Sequence, residues 1–173
     1  FETERDFTLA ITRLSNLSLT NMITLTYSST WETFWDLIVF QTGGTIGDPY
    51  TSSGVTYRSI SFTSTSGTNE LDLMADISAD YLVVGGGGSG GKRNSDSRTT
   101  GGGGAGGFIE ENTTLIANTY TIVVGDGGAA QGSTGLQGNS GGNSSFSGST
   151  AIGGGGGGGG SSWLAEGLTG GSG

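Results

Sequence analysis

Cysteine and histidine are both absent from this chain of 173 residues, and proline occurs once, at Pro49. Without a thiol or an imidazole, disulfides, thiolate nucleophiles, histidine general bases and zinc sites of the usual kind are excluded. Cations are scarce as well. Lys and Arg total 6 against 15 Asp and Glu, for a net charge of −9. No face can then carry a basic stripe, so nucleic acid is not an expected partner. No run reaches the ~18 apolar residues of a membrane-spanning helix, so membrane insertion is not expected. No secretion leader is visible. The chain starts at Phe1 and stops inside Thr169-Gly170-Gly171-Ser172-Gly173, which reads as a processed or partial chain.

Glycine is what the chain has instead. It supplies 38 residues, and only 5 of them precede Gly85. That shift in composition divides the chain into a β-rich module over 1–80 and a glycine-rich domain over 81–173. Three glycine runs stand out: 85–91 (GGGGSGG), 101–107 (GGGGAGG) and the unbroken 153–160. Side-chain packing cannot build a core from them.

Residues 1–80 read as strands. Phe7 to Leu19 and Met22 to Tyr27 alternate apolar residues with Thr and Ser at period two. Trp31 to Phe40 is the most apolar stretch, and a strand is preferred there over a short helix. Gly43 to Gly54 reads as a loop, and Val55 to Thr63 alternates again. Gly67-Thr68-Asn69 is a turn signal. A small antiparallel sandwich or an open sheet is expected, with Trp31 and Trp35 in its core. In the second half, Tyr81 to Val84 and Tyr120 to Val124 are short strands that run straight into glycine. Thr113 to Ile116 is a third strand.

Gly/Ser-rich segments commonly act as flexible linkers. Here the runs have nearly equal lengths, strands feed them, and Phe108, Phe146, Ile152 and Trp163 punctuate them. That pattern favours packed polyglycine II helices, with three residues per turn and ~3.1 Å rise, so that a run spans roughly 22–25 Å. Gly85 and Gly88, Gly101 and Gly104, and Gly153 and Gly160 then mark three rows of a lattice. Ser89 and Ala105 would sit at a lattice face, and Phe108, Phe146, Ile152 and Trp163 at its edges. Recognition would fall to loops at the row ends, Lys92 to Thr100 and Ala129 to Asn143, with Lys92, Arg93 and Arg98 as the candidate recognition cluster.

Catalytic and ligand motifs are thin. Gly86-x-x-x-x-Gly91-Lys92 is close to a phosphate loop, but Arg93 stands where Ser or Thr should hold Mg²⁺, and no helix can follow. Gly85-x-Gly87-x-x-Gly90 is a chance match inside a glycine run. Asp72, Asp76 and Asp80 would share one face of a strand as a loose Ca²⁺ site, and Glu110 and Glu111 are adjacent; both sets read better as solvated charge. Asp126 reads as a turn residue. Asn16, Asn112 and Asn143 begin weak glycosylation triplets. Trp31, Trp35, Tyr50, Tyr57 and Trp163 could stack on sugar rings, or build the core and lattice edge. No cofactor, metal site or enzyme activity is expected.

The order Tyr81-Leu82-Val83-Val84-GGGGSGG, GGGGAGG-Phe108, Tyr120-Thr121-Ile122-Val123-Val124-Gly125-Asp126-Gly127-Gly128 and Gly141-Gly142-Asn143-Ser144-Ser145-Phe146 resembles a known family. It is similar to the glycine-rich domain of phage tail fibres, adhesins and some bacterial surface proteins, over about residues 60–173. The resemblance implies stacked polyglycine helices in an all-β molecule. It also implies an extracellular place on a virion, assembly as a homo-oligomer (a trimer or an open filament), and attachment to a host glycan or protein. A cell-surface adhesin or filament subunit assembled by strand pairing is the alternative.

Overall fold

The structure, a computed structural model, describes residues 39–93, 99–160 and 166–171. The strands expected between Phe7 and Ile38, the tryptophans Trp31, Trp35 and Trp163, residue Asn16 and the cation Arg98 lie outside the described residues.

The described chain is all-β, with no helix among its elements. A base of short antiparallel sheets carries the apolar side chains. β1 (Val39–Thr42), β6 (Glu70–Leu73) and β9 (Thr119–Thr121) form one three-stranded sheet with β6 in the centre. β7 (Ile77–Val84) and β8 (Phe108–Leu115) form a long ribbon, and β10 (Ser144–Phe146) pairs with β11 (Ser149–Ala151). Strict period-two alternation makes these strands one-sided. In β7, Ile77, Ala79, Tyr81 and Val83 turn inward, while Ser78, Asp80, Leu82 and Val84 are exposed. The inward residues join Val39, Leu71, Leu73, Leu115, Phe146 and Ala151 in one small core, with Leu73 1% exposed at its centre. Phe146 meets Tyr81 edge-on, ring centroids 4.9 Å apart, and Tyr120 at 5.5 Å.

Above the base the chain forms six extended rows: 85–91, 101–107, 125–128, 138–142, 153–160 and 167–171, here rows 1 to 6. Their hydrogen bonds recur every third residue. Gly85, Gly88 and Gly91 donate to the carbonyls of Gly107, Gly104 and Gly101, so rows 1 and 2 are antiparallel. Gly101 and Gly104 donate in turn to Gly158 and Gly155 in row 5, and Gly107 to Ile152 just before it. Gly86 and Ser89 donate to Gly142 and Asn139 in row 4, while Gly154 and Gly157 of row 5 donate to Gly86 and Ser89. Period three identifies the polyglycine II helix, whose groups point outward to its neighbours rather than along its own chain. The contacts arrange the rows in two layers. Rows 3, 1 and 2 lie side by side in one, and rows 4, 5 and 6 in the other.

Each strand ladder runs into the row lattice without a break in register. The pair Val84 and Phe108 closes the β7–β8 ladder, and Gly85 and Gly107 are the next pair, in rows 1 and 2. Ser144 and Ala151 end the β10–β11 ladder, and the bond from Gly141 to Gly154 between rows 4 and 5 keeps that register. The bridge between Val123 and Ser145 likewise continues as Gly142 donating to Asp126. Rows alone cannot set this register, because one glycine is the same as the next. The side chains of the base do it.

Several local expectations change. The stretch expected as a loop, Gly43 to Gly54, contains β2 (Thr45–Ile46) and β3 (Tyr50–Ser52). The single strand expected from Val55 to Thr63 is split into β4 (Val55–Tyr57), paired with β3, and β5 (Ile60–Ser61), paired with β2. The break makes a hairpin inside a hairpin, its inner turn built on Ser53 and Gly54, both at positive φ. A sandwich does not form among the described residues; five small sheets do. The composition boundary at 80/81 falls within β7, whose eight residues form one ladder with β8.

Candidate functional site

Rows 1, 3 and 5 leave the base and rows 2, 4 and 6 return to it, so the described connection 129–137 lies at the far tip, beside the row ends at Lys92 and Gly160. Lys92 ties this tip together. Its N–H donates to Leu136 O, its carbonyl accepts from Gly135 N, both 2.9 Å, and from Gly160 N at 3.4 Å, and its Nζ donates to Gly132 O at 2.8 Å. Further side-chain amides brace the loops from above. Gln131 Nε2 donates to Gln137 O, Gln137 Nε2 to Glu166 O, and Asn139 Nδ2 to Ala129 O. The result is a pre-organised surface, with Arg93 and Leu136 exposed on it.

Of the expected cluster, Lys92 and Arg93 lie at this tip and Arg98 lies outside the described residues. Lys92 is a brace within the tip before it is a group for a ligand. The stretch Ala129 to Asn143, expected as one loop, holds row 4 as well, so the true tip connection is shorter. Rows 3, 4 and 6 were not legible as rows. They are short and carry Asp126, Asn139, Ser140, Leu168 and Thr169, and the only sequence signal is a glycine at every third place or so.

The six expected row markers all sit in the lattice. Gly85 and Gly88 bond rows 1 and 2, Gly101 and Gly104 bond rows 2 and 5, Gly153 accepts from Gly171 in row 6, and Gly160 reaches Lys92. Ala105 is exposed on a lattice face, as expected. Ser89 is half-buried instead, because its Oγ accepts from Asn139 N at 2.8 Å between rows 1 and 4. Phe146, expected at a lattice edge, is in the base core, whereas Phe108 and Ile152 are 71% and 55% exposed.

Asp72, Asp76 and Asp80 are each engaged separately. Asp72 Oδ1 accepts from Thr119 Oγ1 and Asp76 Oδ1 from Ala117 N, both at 2.8 Å, and Asp80 Oδ1 accepts from Asn112 Nδ2. The chain turns between β6 and β7, so these three do not share one strand face, and the Ca²⁺ arrangement is lost. Among the described residues no group of three or more acidic side chains converges on one point. Asp126 is part of row 3, not a turn. Glu111 has a structural role at the base. Tyr81 Oη donates to its Oε2 at 2.5 Å and Ser149 Oγ to its Oε1 at 2.9 Å. The bond from Tyr81, then that from Ser149, holds the Glu111 carboxyl below its ordinary range. Burial, then the carboxylate beside it, pushes the Tyr81 phenol up. Of the aromatics considered for sugar stacking, Tyr50 and Tyr57 are brought together across β3 and β4, stacked with centroids 5.5 Å apart and both exposed.

No curated protein and no solved structure matches the chain. The family model described as a glycine-rich domain matches residues 63–173. That match covers more than half of the chain, from the approach to β6 through all six rows to the last residue, and the protein belongs to this glycine-rich domain family.

Proposed function

We propose that the protein is a non-enzymatic structural subunit of a phage particle, a tail-fibre or adhesin component that works outside cells in host attachment. The observation that carries this reading is the division of labour between the two ends. The base holds the apolar core and sets the register, while the lattice carries the braced loop 129–137, tied to Lys92, on rigid rows away from it. Binding residues commonly sit on loops held by a rigid scaffold. The tip also suits attachment because its backbone is pre-ordered, so little conformational entropy is lost on binding. Its ligand is a glycan or protein of the host surface, and the subunit works as a homo-oligomer. The resemblance to glycine-rich domains of tail fibres and adhesins supports the same assignment.

The test is binding of fluorescent protein to a panel of intact bacteria by flow cytometry. Saturable, strain-selective binding is expected. It should vanish when residues 129–137 are exchanged for a Gly/Ser loop and persist when Tyr50 and Tyr57 are both changed to Ser. Binding to no strain, or binding indifferent to the loop exchange, would overturn the assignment.

A further inference from the structure

Among the described residues, one face is mostly apolar, flat and unpaired. On the β7–β8 ribbon it begins with Leu82, Val84 and Phe108, which are 62%, 52% and 71% exposed, and the exposed Glu110, opposite Leu82, bounds it on the same side. Val84 and Phe108 are directly opposed, so the three side chains share one side. The same side continues up the lattice over rows 3, 1 and 2. There it consists of Gly127, Gly87, Gly90, Gly102 and Ala105, all exposed. These positions recur every third residue, as one side of a three-residue turn must.

Glycine is not needed at these places by anything among the described residues. A Cβ at Gly87 would come no nearer than 3.7 Å to another atom, at Gly90 3.4 Å and at Gly127 3.8 Å, and at Gly102 nothing lies within 4 Å. The inward positions of the same rows are the opposite. A Cβ at Gly88 would run into Gly155, and one at Gly91 into Gly158, both in row 5. Glycine costs conformational entropy wherever it is ordered. On the inner side close packing of the second layer requires it. On the outer side the matching requirement is a backbone approaching from another molecule.

We infer that this face is an interface at which a second copy of the chain stacks, layer on layer. The chain itself shows what fits such a surface, since rows 4, 5 and 6 pack in this way on the other side of rows 3, 1 and 2. A face presented to its own copy gives a two-fold, self-complementary contact. The apolar strip at the ribbon end supplies the hydrophobic part. Rows 1 and 2, of about 22 Å each with about 13 Å of strand, and the shorter row 3 of about 12 Å, at ~4.8 Å across each, project to about 400 Å² per copy. The pair then buries about 800 Å², the size of a weak, reversible interface. Each copy carries a charge of −9, so association strengthens as salt screens the repulsion. The inference stands whether or not the tip binds a host surface.

Sedimentation equilibrium on the full chain tests it. The wild type should dimerise, more tightly at higher ionic strength. Gly87→Gln and Gly102→Gln should each raise the dissociation constant at least ~100-fold, about 2.7 kcal/mol, with thermal unfolding unchanged at concentrations where the protein is monomeric, because both sites are open inside the monomer. Phe108→Ser on the ribbon should act in the same direction. Gly132→Gln, equally open but at the tip, should leave association as it was. A wild type that stays monomeric at every soluble concentration overturns the inference, and that result includes the case in which residues 1–38 cover the face. Oligomers that all three face variants leave unchanged, as pairing through open strand edges would, overturn it too.

Discussion

At Gly156 a methyl group has nowhere to go. It would coincide with the carbonyl of Gly138, which belongs to the facing backbone and cannot rotate away. Overpacking in an ordinary core costs ~1–3 kcal/mol because side chains can yield. Here two backbones would have to part, so Gly156→Ala should fall at or above the top of that range, and Gly156→Val should fail to fold. In the dissociated monomer, Gly102→Ala should be neutral or stabilising by ~0.4–1 kcal/mol, because its site is open there and alanine restricts the unfolded chain. Urea unfolding of the two alanine variants gives the comparison, and equal losses would refute a packed lattice. Glu111 offers a second test at this scale. Its carboxyl is held low in the folded state, so the stability it contributes is present above the ordinary glutamate value of 4.5 and is lost as pH falls through the lower folded value. The melting temperatures of wild type and Glu111→Gln should therefore converge as the pH is lowered from 7 towards 3. A gap that stays constant across that range would assign the contact no linkage.

Among the elements, the β10–β11 hairpin has the largest reach for its size. Ser147 and Gly148 form its two-residue turn with φ of 49° and 88°, the conformation of a type I′ turn. Its ladder continues as the register between rows 4 and 5. Gly148 has no neighbour within 4 Å, so its requirement is one of backbone conformation alone. Gly148→Ala should cost ~1–2 kcal/mol by forcing a left-handed alanine, while Ser147→Asn should be neutral or slightly stabilising, since Asn-Gly is the favoured pair for this turn. Thermal unfolding separates them. Equal effects would mean that the turn does not control the register above it. The hairpin was missed in the sequence because Ser144 to Ala151 carries few apolar residues and sits in a background of Gly, Ser and Asn.

For the molecule as a whole, stability is divided unevenly. Each lattice residue loses ~1–2 kcal/mol of backbone entropy, against a net ~0.5–1.5 kcal/mol per hydrogen bond. The two nearly cancel, so the lattice depends on the base, whose small core supplies the surplus and holds the rows in register. Hydrogen exchange should show this directly. In row 1 the amides of Gly85, Gly86, Gly88 and Ser89 are bonded to neighbouring rows, while Gly87 and Gly90 face outward. The expected pattern is two slow amides and one fast, repeating every third residue. A period of two would replace the polyglycine rows with ordinary strands, and uniformly fast exchange would make the runs linkers. The substitution Leu73→Ala, at the most buried side chain, should lower protection throughout the rows by ~2–5 kcal/mol although it touches none of them.

The sequence by itself determined that glycine runs of nearly equal length would be rows, that strands would feed them, and that no thiol or imidazole chemistry would be carried. Composition and period-two alternation are local properties, and they survive without knowledge of any neighbour. It could not say which row lies beside which, that rows 3, 4 and 6 exist, or which glycines face inward. A glycine run has no side-chain pattern, so nothing in it distinguishes one partner or one register from another. Those choices are made by Val84 opposite Phe108, by Ser144 opposite Ala151 and by the core beneath them. Only the tertiary structure shows that Gly156 is enclosed by backbone while Gly102, in the same kind of run, faces open space.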